Sequence, residues 1–318
     1  VQGIRSINIY QLPKRTRDIV SEEKTGGSGL MPVISMGIFI LVVQIMALIL
    51  ARPMGNLGMQ AVEDPQSTSN AIYYILMILV FTGFILLAIR KNIRWIIQLV
   101  ILGAVASTLF YGFYPLMYLL GAGDAISTGV SVLLSIGLTV LLYKFPEWYV
   151  VDIVGLVVGA AASSIFGISF GIIPAIVLLV LLAVYDAISV YRTKHMIDLA
   201  EGVMDLKLPI LFVVPRKKGY SFMEDELKAE GEREAYFMGL GDAIMPTILV
   251  VSANVFMEYT GIISPAAAGA MIGTFIGFAA LMALVMKGKP QAGLPFLNTG
   301  AIAGYLIGAA VAGMPLLG

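Results

Sequence analysis

The chain has 318 residues, 59% of them hydrophobic and only 13% charged, with a mean hydropathy of +0.92. Soluble domains run at about 45–50% apolar and about 25% charged, so a water-exposed globule is excluded, and 20 basic against 20 acidic residues leave no net charge to attract a polyanion such as nucleic acid. With no cysteine and one histidine, His195, the sequence also excludes disulfides, thiolate metal sites, a cysteine nucleophile and a histidine-rich metal centre.

A membrane span takes about 20 apolar residues. Apolar runs bounded by charged or turn-rich breaks predict nine such helices, at residues 30–50, 69–89, 95–120, 125–143, 148–166, 169–190, 235–257, 261–286 and 293–317. The fold class is therefore all-α, a polytopic protein of the lipid bilayer. A mostly polar tail, 1–29, precedes the first span without a cleavable signal pattern, and Val1 reads as a trimmed terminus. Spans four and five are separated only by 144–147, and spans five and six by little more than Gly167. A long connection, 192–234, divides six spans at 30–191 from three at 235–318.

Nineteen of the 20 basic residues fall in the tail and in the second, fourth, sixth and eighth connections; only Arg52 lies on the other side. The positive-inside rule then predicts a cytoplasmic N-terminus and an external C-terminus, in the cell membrane. The long connection holds an apolar piece at 208–214, the basic cluster Arg216, Lys217 and Lys218, and a charge-dense stretch at 223–234. It reads either as a solvated linker or as a mobile gate at the cytoplasmic surface.

A charge inside a span costs about 2.5–3.5 kcal/mol even on the lenient insertion scale, and by default marks function. Asp152, Asp186 and Asp242 qualify. Asp152 lies four residues into the fifth span, within reach of the interface, and reads as a boundary residue. Asp186 precedes Arg192 by six residues, which puts it roughly 9 Å inside that boundary. Asp242 follows Arg233 by nine, which puts it roughly 12–14 Å in from the same face. Consecutive antiparallel helices thus bring two carboxylates to nearly one level, where they would form an acid–base dyad. Gly239 and Ala183 lie three residues from Asp242 and Asp186, and Ala235 extends the small strip, so close helix packing is expected. Pro246 lacks an N–H and leaves the Asp242 carbonyl without its helical donor.

In the ninth span, Pro295 follows Gly293, and the pair disfavours a regular helix and exposes main-chain groups to an unwound substrate. Gln44, Gln98 and Asn254 read as helix–helix hydrogen bonds, and His195 as a solvated residue. Asn298, next to Leu297, is placed to orient a polar group but is not assigned to the site. On these residues alone, a proton-coupled secondary transporter is the main alternative to an enzyme, since it too uses paired intramembrane aspartates and broken helices. The off-centre site, the division into six and three spans, and the lack of an inverted repeat argue against it. A scaffold leaves the two carboxylates unexplained.

Tyr185-Asp186 in one span and Gly239-Leu240-Gly241-Asp242 in the next resemble the YD and GxGD motifs of the presenilin and signal peptide peptidase family. The family's third motif, Pro-Ala-Leu, is matched by Pro295-Phe296-Leu297, with Phe in the middle position. GxGD alone is shared with prepilin peptidases, but the three motifs in order are not. The compact chain is similar to the archaeal presenilin homologues. The resemblance implies a nine-span intramembrane aspartyl protease, with Asp186 and Asp242 catalytic. Tyr185, Gly239, Leu240, Gly241, Pro295, Phe296 and Leu297 would bind substrate or shape the site. It also implies single-span membrane proteins or peptides as substrates, no cofactor or metal, no obligatory accessory subunit and no nucleic acid partner. Homo-oligomerisation stays open. In presenilins the loop between the aspartate spans is cut autocatalytically, which makes the 192–234 connection a candidate for self-cleavage. In the chemistry implied, two adjacent carboxyls share one proton: the ionised one activates water and the protonated one polarises the peptide carbonyl.

Overall fold

The computed structural model describes residues 30–91, 93–193, 211–216, 219–223, 235–286 and 291–316. The apolar runs wind into α1 (Leu30–Asn56), α2 (Ser69–Arg90), α3 (Arg94–Leu119), α4 (Asp124–Lys144), α5 (Trp148–Ser169), α6 (Ile172–Ile188), α7 (Leu240–Phe256), α8 (Pro265–Val285) and α9 (Leu294–Val311). Two short strands, β1 (Leu211–Pro215) and β2 (Ala235–Gly239), lie between α6 and α7. Among the described residues, eight helices are long and apolar enough to cross a membrane, and α7 is a shorter apolar helix. Helices suit lipid because each main-chain N–H and C=O finds its partner within the segment. The tail and His195 lie outside the described residues, as does most of the 192–234 connection.

α5 is the central helix, with 67% of its span buried, the largest share of any. It packs on α1, α3, α7 and β1. Glycines on α5 make the approach to α7 close: a Cβ on Gly159 would stand 3.2 Å from Leu240 Cδ1 and 3.4 Å from Val43 Cγ2. The other tight pair is the α8–α9 hairpin. Gly269, Gly273 and Gly277 recur every fourth residue on α8 and face Gly300, Gly304 and Gly308 on α9. A Cβ on Gly273 would fall on the Gly300 carbonyl, and one on Gly304 on the Gly269 carbonyl. The two helices therefore meet backbone to backbone, where dispersion contacts replace the missing hydrophobic drive inside lipid.

Three local expectations are corrected. The seventh helix starts at Leu240, not at 235: residues 235–239 form β2, antiparallel to β1 in the register Leu211↔Gly239, Val213↔Phe237 and Pro215↔Ala235. Ala235 therefore belongs to a strand and extends no helical strip. A short apolar run does not distinguish helix from strand; here the apolar piece of the long connection supplies the partner, with aromatic and β-branched residues that suit a ladder. The break between α5 and α6 lies at Phe170–Gly171, and Gly167 is inside α5, where it admits the Val251 side chain of α7. The break is stapled by Gly171 N–H donating to the Pro65 carbonyl at 2.8 Å and the Ser252 hydroxyl donating to the Phe170 carbonyl at 2.8 Å.

The third correction concerns the polar residues. Gln44 is fully buried on α1, and neither of its amide atoms has a partner among the described residues. Asn254 bonds the α7–α8 turn instead of a neighbouring helix: its amide donates to the Ile262 carbonyl and its oxygen accepts the Ser264 N–H at 2.7 Å. Gln98 is half-buried on α3.

Candidate active site

Asp186 ends the inward stripe of α6 formed by Ala175, Leu178, Leu179 and Leu182, spaced three and four apart on one helix face. It is 6% exposed. The chain turns into a π-helical segment, Ser189–Thr193, immediately after α6. Asp242 is the third residue of α7, where the unpaired amides of a first turn favour a negative side chain. Its carboxylate folds back toward the N-cap, Gly239: a Cβ there would stand 3.4 Å from Asp242 Oδ2. The five residues before α7 are extended, so a depth reckoned at helical rise does not apply to Asp242.

Both carboxylates meet the first residues of α9. The Leu294 N–H donates to Asp186 Oδ2 at 3.1 Å, and the Gly293 N–H faces the same carboxylate. On the other side, a Cβ at Gly293 would stand 2.8 Å from Asp242 Oδ1 and 3.1 Å from Oδ2. The two acids therefore flank one stretch of main chain. Leu294 has this N–H to give because it opens a helix, and such amides have no partner four residues back. Pro295, second in α9, sits where its missing N–H costs nothing. It starts the helix and does not disrupt it.

The remaining motif residues divide by what they touch. Leu297 is fully buried, and the Phe296 side chain packs half-buried against the core that holds Leu240, Phe278 and Leu281. The Phe296 carbonyl lies where a Cβ on Gly277 would be, so the main chain of α9 rests directly on α8. Tyr185 is half-buried beside Asp186. Leu240 is a packing residue seated on Gly155 and Gly159, turned toward α5. Gly241 has open space where a Cβ would be.

Sequence reasoning missed Tyr191 and left Asn298 unassigned. Tyr191, on the π-helical turn, donates its hydroxyl to Gln291 Oε1 at 2.8 Å and accepts the Ala292 N–H at 3.3 Å, tying the approach to α9 onto the end of α6. Asn298 donates to the Leu179 carbonyl at 2.9 Å and joins the same helices one turn deeper. Asp152 does not reach out to solvent: it is 4% exposed, and its Oδ1 accepts the Val213 N–H of β1 at 2.8 Å. Its bond is to a residue 61 positions away, which no local pattern reveals. Among the described residues, no three carboxylate or histidine side chains gather as a metal would need.

A model of the family described as signal-peptide peptidase, presenilin aspartyl protease matches residues 36–314, which takes in both aspartates and α9. The chain belongs to the presenilin and signal-peptide peptidase family. Two solved structures agree, both of a presenilin family intramembrane aspartate protease. One, in space group C222, is 42% identical over 88% of this chain and 100% of the other, with a TM-score of 0.68. The second, in space group P2, is 42% identical over 88% of this chain and 98% of the other, with a TM-score of 0.65. Among curated proteins no sequence matches. This presenilin-family chain is a multi-pass membrane protein and an intramembrane aspartyl endopeptidase, and the transporter alternative finds no support.

The contact at Gly293 yields a test. Gly293→Ala is expected to push the Asp242 carboxylate aside and lower kcat on a membrane-embedded substrate by about tenfold or more, since a misplacement near 1 Å costs on the order of 100-fold. The melting temperature in detergent should move little. Wild-type turnover in this variant would show that the contact does not hold Asp242.

Proposed function

We propose that Asp186 and Asp242 are the catalytic pair, and that they hydrolyse peptide bonds within single-span membrane proteins. The observation that carries this reading is the meeting of both carboxylates at Gly293–Leu294. The ionised carboxylate takes a proton from water as the water oxygen adds to the scissile carbonyl carbon, and the protonated carboxyl gives its proton to the carbonyl oxygen. The tetrahedral intermediate collapses as the C–N bond breaks. The departing amine takes the proton that the first carboxylate had accepted, and the hydroxyl proton returns to the second. The Leu294 amide fixes the orientation of Asp186, and Gly239 and Gly293 leave room for Asp242.

A helical substrate shields its peptide bonds, so it must be extended before attack. β2 offers an edge for this. The Val213 N–H points to Asp152, away from β2, so the Val213↔Phe237 pair is of the non-hydrogen-bonded kind. The N–H and C=O of Phe237, and those of Ala235 and Gly239 two residues to either side, then face away from β1. An unwound substrate strand added on that edge runs to Gly239 and so to Asp242. The Leu211–Pro215 strand is itself already paired with the other edge of β2. We also retain the organisation into a cytoplasmic tail at 1–29, six spans, a cytoplasmic connection at 192–234 and three spans, in the cell membrane, on the strength of the basic residues.

Asp186→Asn and Asp242→Asn are each expected to abolish cleavage of a single-span substrate while expression and membrane insertion persist; substantial activity in either variant sinks the pair. Phe237→Pro removes an outward N–H without touching the β1–β2 bonds. It should raise KM several-fold while kcat is largely kept, and an unchanged KM argues against strand addition. For orientation, the chain has no native cysteine. Ser28→Cys should be protected from an impermeant external thiol reagent and Gly318→Cys should label; the reverse pattern inverts the topology.

A further inference from the structure

We propose that Asp152 is a positioning residue for Asp242, acting through the β1–β2 ribbon and not on substrate. This rests on the reading of Asp242 as a catalytic residue. Asp152 is a carboxylate on the central helix, 4% exposed, and no step of the hydrolysis uses it. Inside lipid such a group is costly unless it is bonded. Its Oδ1 has one partner, the Val213 N–H at 2.8 Å, and its Oδ2 has none among the described residues.

The partner matters because of where the ribbon leads. Val213 pairs with Phe237, and two residues on, Leu211 pairs with Gly239. Gly239 is the N-cap of α7, and Asp242 is the third residue of that helix. A displacement of β1 over α5 is thus carried to Asp242 through one pair of strands and one cap. An isolated two-stranded ribbon is marginal by itself and takes its position from what it packs on. Here it packs on a single track of α5. Asp152, Gly155 and Gly159 are spaced three and four apart and share a helix face. Gly155 receives the Phe212 ring, at 3.2 Å from a built Cβ, and Gly159 receives Leu240, the first residue of α7. The Phe212 ring also stacks on Phe39 of α1 at 4.9 Å between centroids.

The two apolar contacts hold the ribbon against α5, and packing of this kind resists sliding less than a directional bond does. The Asp152 bond is directional, with a preferred length and angle, and so sets where along α5 the strand comes to rest. It also satisfies a main-chain N–H that would otherwise be buried unpaired. A carboxylate is therefore used as an acceptor, not as an acid, and an amide oxygen should serve as well.

The test uses the full chain reconstituted in lipid vesicles, a single-span substrate, and kcat and KM measured on the monodisperse folded fraction. Asp152→Asn keeps the acceptor and should stay within about threefold of wild-type kcat. Asp152→Leu removes the acceptor, and Val213→Pro removes the donor while sparing the β1–β2 bonds. Each should lower kcat by about tenfold or more, by a larger factor than it raises KM, since β2 moves with the ribbon. The double variant should lose no more than the worse single one, because one bond is removed in both. Wild-type kcat in Asp152→Leu overturns the proposal. So does an Asp152→Asn variant as inactive as Asp152→Leu, which would indicate a titrating role, and so do losses that multiply in the double variant. Should Asp152→Leu fail to fold, Asp152→Asn and Val213→Pro decide by the same criteria. Asp242→Asn is the control. Cleavage by that variant removes the catalytic reading itself; its inactivity beside a fully active Asp152→Leu removes only the positioning role.

Discussion

A carboxylate inside a lipid-embedded bundle loses its water and must find hydrogen-bond donors in the chain itself. For Asp186 those donors are the first amides of α9, and their supply explains much of the architecture. The helix must start at Leu294, so that its first N–H groups have no internal partner. The start must also lie between two acids, which demands that residue 293 have no side chain. A proline follows immediately, at a position where it stabilises the start of the helix and withdraws no needed donor.

Holding α9 in that place requires contacts on more than one side. Toward α8 it is the glycine face, where main chain meets main chain and Phe296 rests its carbonyl on Gly277. Toward α6 it is a set of polar ties, from Tyr191 to Gln291 and Ala292, from Leu294 to Asp186, and from Asn298 to Leu179. The first set gives closeness and the second gives register, because packing forces are nearly indifferent to sliding and hydrogen bonds are not. The substitution of Phe for the family's Ala at 296 fits this division. The main chain at that position carries the contact with α8, and the larger side chain packs against the buried core that contains Leu240, Phe278 and Leu281.

The same division recurs at the other aspartate. Leu240 seats α7 on the glycines of α5, and Phe212 seats the ribbon beside it. Glu147, at the N-cap of α5, accepts the Ser221 hydroxyl at 2.6 Å and the Phe222 N–H at 3.0 Å. Together with Asp152 and Val213, two acidic residues of one helix thus fasten the chain that follows β1 and β1 itself. The connection between the aspartate helices is in this part a packed element, which neither a solvated linker nor a free gate describes.

Nine apolar runs, Tyr185-Asp186, Gly239 to Asp242 and Pro295-Phe296-Leu297 were legible in the amino-acid order alone, and so was the membrane setting. These features are local: hydropathy over about 20 residues, and short runs whose chemistry depends on their own side chains. The same local reading failed where neighbours in space decide the outcome. Residues 235–239 are apolar enough for a helix and became a strand because Leu211–Pro215 pairs with them. Gly167 looked like a break and is a socket for Val251, and nothing near Asp152 in the sequence marks it as the acceptor for a strand 61 residues away. Above all, the sequence named the two aspartates but not what joins them. That depends on an amide at Leu294 and an empty Cβ position at Gly293, 108 residues beyond Asp186 in the case of the amide. A main-chain N–H carries no side-chain signature, and only the folded arrangement shows which one is left over at a helix start and which acid it meets.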